Sequence, residues 1–220
     1  MENIEIRQTA DGSNTLYLPE IDETYHSSHG ALQEALHVFI EHGLAYVSQQ
    51  IESITIFEMG FGTGLNALLT AQWAEKHQRK IEYIGIELNP ISEEIWRQMD
   101  YAQGKSEIER YAKIMSEVWG SYQEINPYFL LKKIENDIHQ HQITEQVDLV
   151  YYDAFGPRAQ SEMWDVPVLT KMYELLKPGG VFVTYCAQGQ MKRNLKSLGF
   201  VLTELPGPPG KRVMTRATKS

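Results

Sequence analysis

Three clusters of side chains in this sequence have the types and spacing to do chemistry. In the first, Glu58-Met59-Gly60-Phe61-Gly62-Thr63-Gly64, glycine recurs at every second position between a β-rich run and residues with helical spacing. Gly60 and Gly62 let a backbone turn sharply and approach a ligand closely, and such a strand-to-helix turn is where doubly wound folds bind nucleotides. Leu65 stands where a dinucleotide fingerprint has its third glycine, and no P-loop lysine follows, which disfavours phosphate cradling. The competing reading is a bare turn with incidental glycines. Carboxylates argue for a ligand: Glu58 opens the motif, and Glu87, 23 residues past Gly64, closes the next β-rich run, where it can accept both ribose hydroxyls. Two acids without a basic clamp suit a cationic nucleoside free of phosphates, and S-adenosylmethionine fits that description.

The second cluster is Asp148 to Pro157, with Asp153 at the end of a strand and facing the same crevice, placed to hold a reacting amine or to stabilise charge near a sulfonium. The third, Asn136-Asp137, either hydrogen-bonds an adenine amino group or is a solvated loop. Tyr25-His26-Ser27-Ser28-His29 contains H-x-x-H, but no third ligand has recognisable spacing, so no metal is expected and the segment reads as a cover for the pocket mouth. Arg158 is placed to contact phosphate or base, or to form a surface ion pair.

These clusters need a sheet edge to bring them together. Ile54 to Phe57, Ile81 to Ile86, Val147 to Tyr152 and Val181 to Tyr185 read as strands. Leu65 to Lys76, Ile91 to Met99, Val168 to Leu176 and Gln190 to Leu198 read as the helices between and after them. Such alternation implies a parallel sheet covered on both faces, an α/β fold. The stretch Asp100 to Ile143 has helical periodicity over Ile108 to Val118 and a strand at Phe129 to Ile134, and Gly199 to Glu204 can pair with Lys211 to Thr215. Ahead of the sheet, Ile4 to Arg7 and Thr15 to Leu18 predict a hairpin, and Leu32, Leu36, Phe39 and Ile40 predict an amphipathic helix. The expected division is an extension over 1–48 and one compact domain over 49–220.

With 42% hydrophobic and 22% charged residues, the composition is that of an ordinary globular domain. The single cysteine, Cys186, excludes a disulfide framework and suits a reducing compartment. Neither a signal-peptide order at the N-terminus nor 18 consecutive apolar residues is present, so a cytoplasmic protein is expected. The formal charge of −9 is unevenly placed: seven basic residues, Lys192, Arg193, Lys196, Lys211, Arg212, Arg216 and Lys219, face one acid, Glu204, beyond Cys186. That asymmetry hints at contact with nucleic acid, the alternative being solvated lysines on a helix and a tail.

Glu58 to Asn66 (EMGFGTGLN), Asp148 to Trp164 (DLVYYDAFGPRAQSEMW), Pro178 to Gly180 with Lys192-Arg193 and Gly199-Phe200, and Gly210 to Met214 (GKRVM) together resemble the methyltransferase domain of a bifunctional bacterial family. Those enzymes complete 5-methylaminomethyl-(2-thio)uridine at the tRNA wobble position. The resemblance implies a Rossmann-like class I methyltransferase fold with a seven-stranded, mostly parallel sheet and helices on both faces, here with the N-terminal β-hairpin extension. It further implies S-adenosylmethionine as cofactor and the amine of 5-aminomethyluridine in tRNA as acceptor. By position, Gly60, Gly62 and Gly64 line the cofactor beside Glu58, Glu87 takes the ribose, Asp137 the adenine, and Asp153 the reacting centre. Phe155 or Trp164 stacks on the uracil or packs in the core, and Lys192, Arg193, Lys211 and Arg212 form a phosphate track. The family's bifunctional members continue into a flavin-dependent oxidase domain, so a chain ending at Ser220 is expected to receive the aminomethyl form from another enzyme. Two other readings remain: an aminopropyltransferase or methyltransferase of a small amine, and a non-catalytic RNA-binding or nucleoside-sensing module.

Overall fold

A computed structural model describes residues 4–142 and 144–220; Met1 to Asn3 and Ile143, where the N-terminal reading begins and the stretch from Asp100 ends, lie outside the described residues. Three short strands, β1 (Glu5–Gln8), β2 (Asn14–Leu18) and β3 (Glu23–Thr24), form a small antiparallel sheet, one strand more than the expected hairpin. A continuous helical segment follows, made of α1 (Ala31–Ala35), a π-helical stretch (Leu36–Leu44) and α2 (Ala45–Val47). The main alternation is β4 (Ser53–Met59), α3 (Leu65–His77), β5 (Lys80–Glu87), α4 (Glu93–Trp96), α5 (Lys105–Ser116), β6 (Tyr122–Asn126), β7 (Phe129–Glu135) and β8 (Val147–Tyr152). A 3-10 turn (Ser161–Trp164), α6 (Val166–Leu175), β9 (Leu176–Thr184), α7 (Gly189–Ser197), β10 (Phe200–Pro206) and β11 (Val213–Lys219) complete the chain.

The main sheet has eight strands in the order β10-β11-β9-β8-β4-β5-β7-β6. The five central strands, β9, β8, β4, β5 and β7, run parallel, while β11 inserts antiparallel between β9 and β10. The expected seven become eight because Asn126-Pro127-Tyr128 reverses the chain, with the Asn126 side chain accepting the Tyr128 N–H at 2.8 Å, and folds β6 back along β7. The expected helix over Ile91 to Met99 shortens to α4, since Met99 and Tyr101 turn into the core instead of continuing it.

Alternate residues of the central strands serve two cores, which is why these runs are apolar throughout. Leu149, Tyr151, Tyr83 and Val183 pack against the N-terminal helical segment and α3, with Tyr111 and Ile114 of α5 in the same cluster. Val150, Tyr152, Ile84 and Phe182 face Val168, Leu169 and Met172 of α6 and Met191 and Leu195 of α7. The N-terminal segment thus shares a core with the sheet: Leu16, Val38, Phe39 and Leu44 are buried in the same cluster as Ile56. Among the described residues, no helix is long and apolar enough to cross a membrane.

Candidate functional site

Parallel strands end together, so the carboxyl ends of β4, β5 and β8 bring Met59, Glu87 and Asp153 to one edge, where a cleft partly open to solvent has formed. Backbone bonds carry the ladder past the strand ends: the Gly60 and Phe61 N–H groups donate to the Ile86 carbonyl, at 3.1 and 3.0 Å, and the Asp153 N–H to that of Met59 at 3.0 Å. Gly60 has φ +86°, and a Cβ there would lie 2.9 Å from the Asp153 carbonyl oxygen. Gly62 has φ +49° and lies under the Tyr25 ring. Both positions therefore require glycine for conformation and for space. Gly64, expected to line the ligand, is not among the residues that line the cleft; it has φ +72°, and a Cβ there would meet the Met115 sulfur of α5.

The Glu87 carboxylate accepts the Gly62 N–H on Oε2 at 2.9 Å and the Asn89 N–H on Oε1 at 3.0 Å. Each oxygen keeps a lone pair for a ligand hydroxyl. Burial raises this carboxyl above its ordinary range, against the pull of those N–H groups. Asp137 also lines the cleft, with Oδ1 accepting the His139 N–H at 2.8 Å.

Asp153 lines the cleft too, and burial foremost, with the Glu34 charge adding, pushes its carboxyl up to about 7. Glu58, expected beside the ligand, is 1% exposed and sits behind the cleft wall, where burial raises its carboxyl well above the ordinary range. Its place at the wall is taken by Asn66, which donates from Nδ2 to Glu58 Oε1 and to Asp153 Oδ2, both at 2.9 Å. Sequence reading missed Asn66, since nothing local marks a helix asparagine as the partner of an acid 87 residues away.

The N-terminal segment contributes Leu18, Pro19, Glu20, Ile21, Tyr25 and His26 to the cleft, so Tyr25-His26 is part of its wall. Tyr25 meets Phe155 edge to face at 5.1 Å. Burial holds His26 down at about 4, so the ring is neutral near pH 7, and its two nitrogens face the Thr15 and Thr63 hydroxyls. Phe155 lines the cleft, whereas Trp164 is 3% exposed, packs on Tyr152 and donates its Nε1–H to the Phe155 carbonyl at 2.8 Å. Of the two aromatics expected to stack on a base, Trp164 is thus a core residue that supports Phe155 from behind.

The basic candidates lie outside the cleft lining. Arg158 donates to the Asp22 carbonyl and to Glu23 Oε1, tying the loop after β8 to the β2–β3 loop. Lys192 pairs with Glu204 at 2.5 Å, and Lys211 pairs with buried Glu34 beneath the Tyr185 ring. Arg193 bonds Gln190 and is exposed, as is Arg212. Among the described residues the cleft is lined by four carboxylates, Glu20, Glu87, Asp137 and Asp153, and by no lysine or arginine. A phosphate-bearing nucleotide would find no counter-charge there, while a cationic adenosyl compound fits both the charge and the free Glu87 lone pairs.

A family model described as S-adenosyl-L-methionine-dependent methyltransferase matches residues 105–220. The tRNA 5-methylaminomethyl-2-thiouridine biosynthesis bifunctional protein MnmC of Cupriavidus necator is 32% identical over 92% of this chain, and that of Leptospira interrogans 31% over 89%. The chain spans about a third of the length of these curated relatives, 32% in both cases. The crystal structure of MNMC2 from Aquifex aeolicus superposes with a TM-score of 0.82 at 25% identity, covering 100% of this chain and 71% of that one. By its matched sequence and its phosphate-averse cleft, the chain belongs to a family of S-adenosyl-L-methionine-dependent methyltransferases, with S-adenosylmethionine as its cofactor.

Proposed function

We propose that this chain transfers a methyl group from S-adenosylmethionine to the amine of 5-aminomethyl-(2-thio)uridine at the wobble position of tRNA. The product is 5-methylaminomethyl-(2-thio)uridine. The observation that carries the reading is the cleft lined, among the described residues, by four carboxylates, Asp153 among them, and by no lysine or arginine. The relatives' names supply the acceptor: both are tRNA 5-methylaminomethyl-2-thiouridine biosynthesis proteins.

When bound, the cofactor supplies an electrophilic methyl group on a positively charged sulfur. Glu87 accepts the ribose hydroxyls on the lone pairs left by Gly62 and Asn89, and Asp137 accepts from the adenine amino group. Gly60 and Gly62 let the loop backbone pass close beside the ligand. Asp153 Oδ1, which accepts no hydrogen bond from the described residues, accepts one from the acceptor in its ammonium form and takes that proton, freeing the lone pair of the neutral amine. Alignment of amine and methyl is the larger contribution, since orientation alone is worth roughly 7 to 11 kcal/mol in well-aligned cases. Phe155, braced by Tyr25 and Trp164, offers the ring on which an unstacked uracil rests. Buried Leu18 and Met163 give the cleft apolar wall beside these groups.

Exposed Arg193 and Arg212 make first contact with tRNA phosphates, joined by Lys192, Lys211 and Arg158 as their acidic partners are displaced. Such chemistry belongs in the cytoplasm with its tRNA, downstream of an enzyme that installs the aminomethyl group. Incubation with methyl-tritiated S-adenosylmethionine and tRNA bearing 5-aminomethyluridine, followed by nucleoside analysis, tests the reading. Label is expected in 5-methylaminomethyluridine; label in another nucleoside or in a free small amine contradicts it.

A further inference from the structure

Asp153 and Glu58 end on either side of one amide. Asn66, the second residue of α3 and 4% exposed, places Nδ2 at 2.9 Å from an oxygen of each. The opposite amide orientation would set its oxygen against two carboxyl oxygens, so the partners fix which way it points. Two ionised carboxylates across one amide repel, and the more deeply buried is the one that stays protonated. That one is Glu58: its Oε2 and the neighbouring Tyr83 hydroxyl are buried without other partners, so a proton on Oε2 leaves Oε1 to accept from Asn66.

We propose that Asn66 is a positioning residue for methyl transfer, bridging a neutral Glu58 to Asp153 so that Asp153 Oδ2 is committed to the amide and Oδ1 is left for the acceptor amine. This rests on the reading above that Asp153 grips the amine. The bridge joins Glu58 of β4 and Asn66 of α3, the two elements that flank the glycine loop, to Asp153 at the end of β8, so it also ties the loop's geometry to the reacting carboxylate. Other charged or titratable groups facing Asp153 are Glu34 of α1, Lys211 of the β10–β11 loop, Tyr185 after β9 and Tyr83 of β5.

The test combines the titration of Asp153, followed by carboxyl ¹³C resonances in the ligand-free protein, with turnover and cofactor calorimetry in Asn66→Ala and Asn66→Leu. Loss of a charge-assisted bond to the ionised form raises the Asp153 midpoint, by about one pH unit or more. Turnover at pH 7 is expected to fall at least about tenfold and to recover in part at pH 9, with cofactor Kd held within about threefold. An unmoved midpoint, unchanged turnover, or a loss of cofactor affinity as large as the loss of turnover overturns the proposal. Should both variants fail to fold, the wild-type side-chain amide decides: both Asn66 Nδ2 protons are expected to exchange slowly and to shift with the Asp153 titration. A fast-exchanging or unshifted proton overturns the bridge. Full turnover by Asp153→Asn alongside an intact ¹³C shift locates the failure in the acceptor reading, whereas a flat titration with inactive Asp153→Asn locates it in Asn66.

Discussion

Asp153 carries a charge where burial and the Glu34 carboxylate disfavour one, and that tension makes it useful as a proton acceptor near neutral pH. Its carboxylate form is the active one, so kcat/KM is expected to fall as pH drops through about 7, the acid limb of a free-enzyme profile. A limb near pH 4 would mean that another group sets the profile. Asp153→Asn keeps an acceptor for Asn66 while removing the base, and methyl transfer is expected to drop by about a thousandfold with cofactor calorimetry nearly unchanged. The same substitution should stabilise the empty protein at pH 8. A carboxyl raised in the folded state favours folding less as pH climbs from its unfolded value to its folded one, so removing it is worth on the order of 4 kcal/mol there and nothing near pH 3. Melting curves at the two pH values check this. Asp153 and Glu87 were legible in the sequence because each ends an apolar strand run. Asn66 and the true place of Glu58 were not, because only folding brings positions 58, 66 and 153 to one point.

At the scale of elements, the glycine loop and the N-terminal segment meet at the cleft, where Gly62 lies under the Tyr25 ring and Thr63 faces His26. Gly60→Ala forces a side chain into left-handed backbone and against the Asp153 carbonyl, with no flexible neighbour to yield. It is expected to weaken cofactor binding at least tenfold and lower stability by about 1–3 kcal/mol, measured by calorimetry and denaturant titration. Arg158 latches the loop after β8 to the β2–β3 loop, and Arg158→Ala should speed amide exchange over 19–23 while leaving the sheet protected. Unchanged exchange there would mean that the latch holds nothing. The buried strands β4, β5, β8 and β9 could be read from composition, since both faces are covered. β6 could not, because an edge strand half open to solvent carries no apolar run: Tyr122, Glu124 and Gln123 all keep exposure. Trp164 has the sequence context of a site residue and the contacts of a core one, and only its neighbours Tyr152 and Phe155 decide between the two.

Across the whole molecule, four carboxylates and no lysine or arginine line the cleft among the described residues, while seven of the 20 lysines and arginines stand against a single acid in the last 34 positions. A polyanion should therefore approach by the C-terminal elements while its base reaches a cation-seeking cleft. Arg193→Ala with Arg212→Ala should reduce the slope of log tRNA affinity against log salt by about 2 without changing cofactor affinity. An unaltered slope removes both residues from the interface. Beneath these effects lies the claim that the cleft selects a phosphate-free adenosyl cation. Calorimetric competition tests it: S-adenosylmethionine is expected to bind with a Kd in the micromolar range, and NAD or ATP at a hundredfold excess should leave that titration unchanged. Tight binding of either nucleotide, or no heat with S-adenosylmethionine, would contradict it.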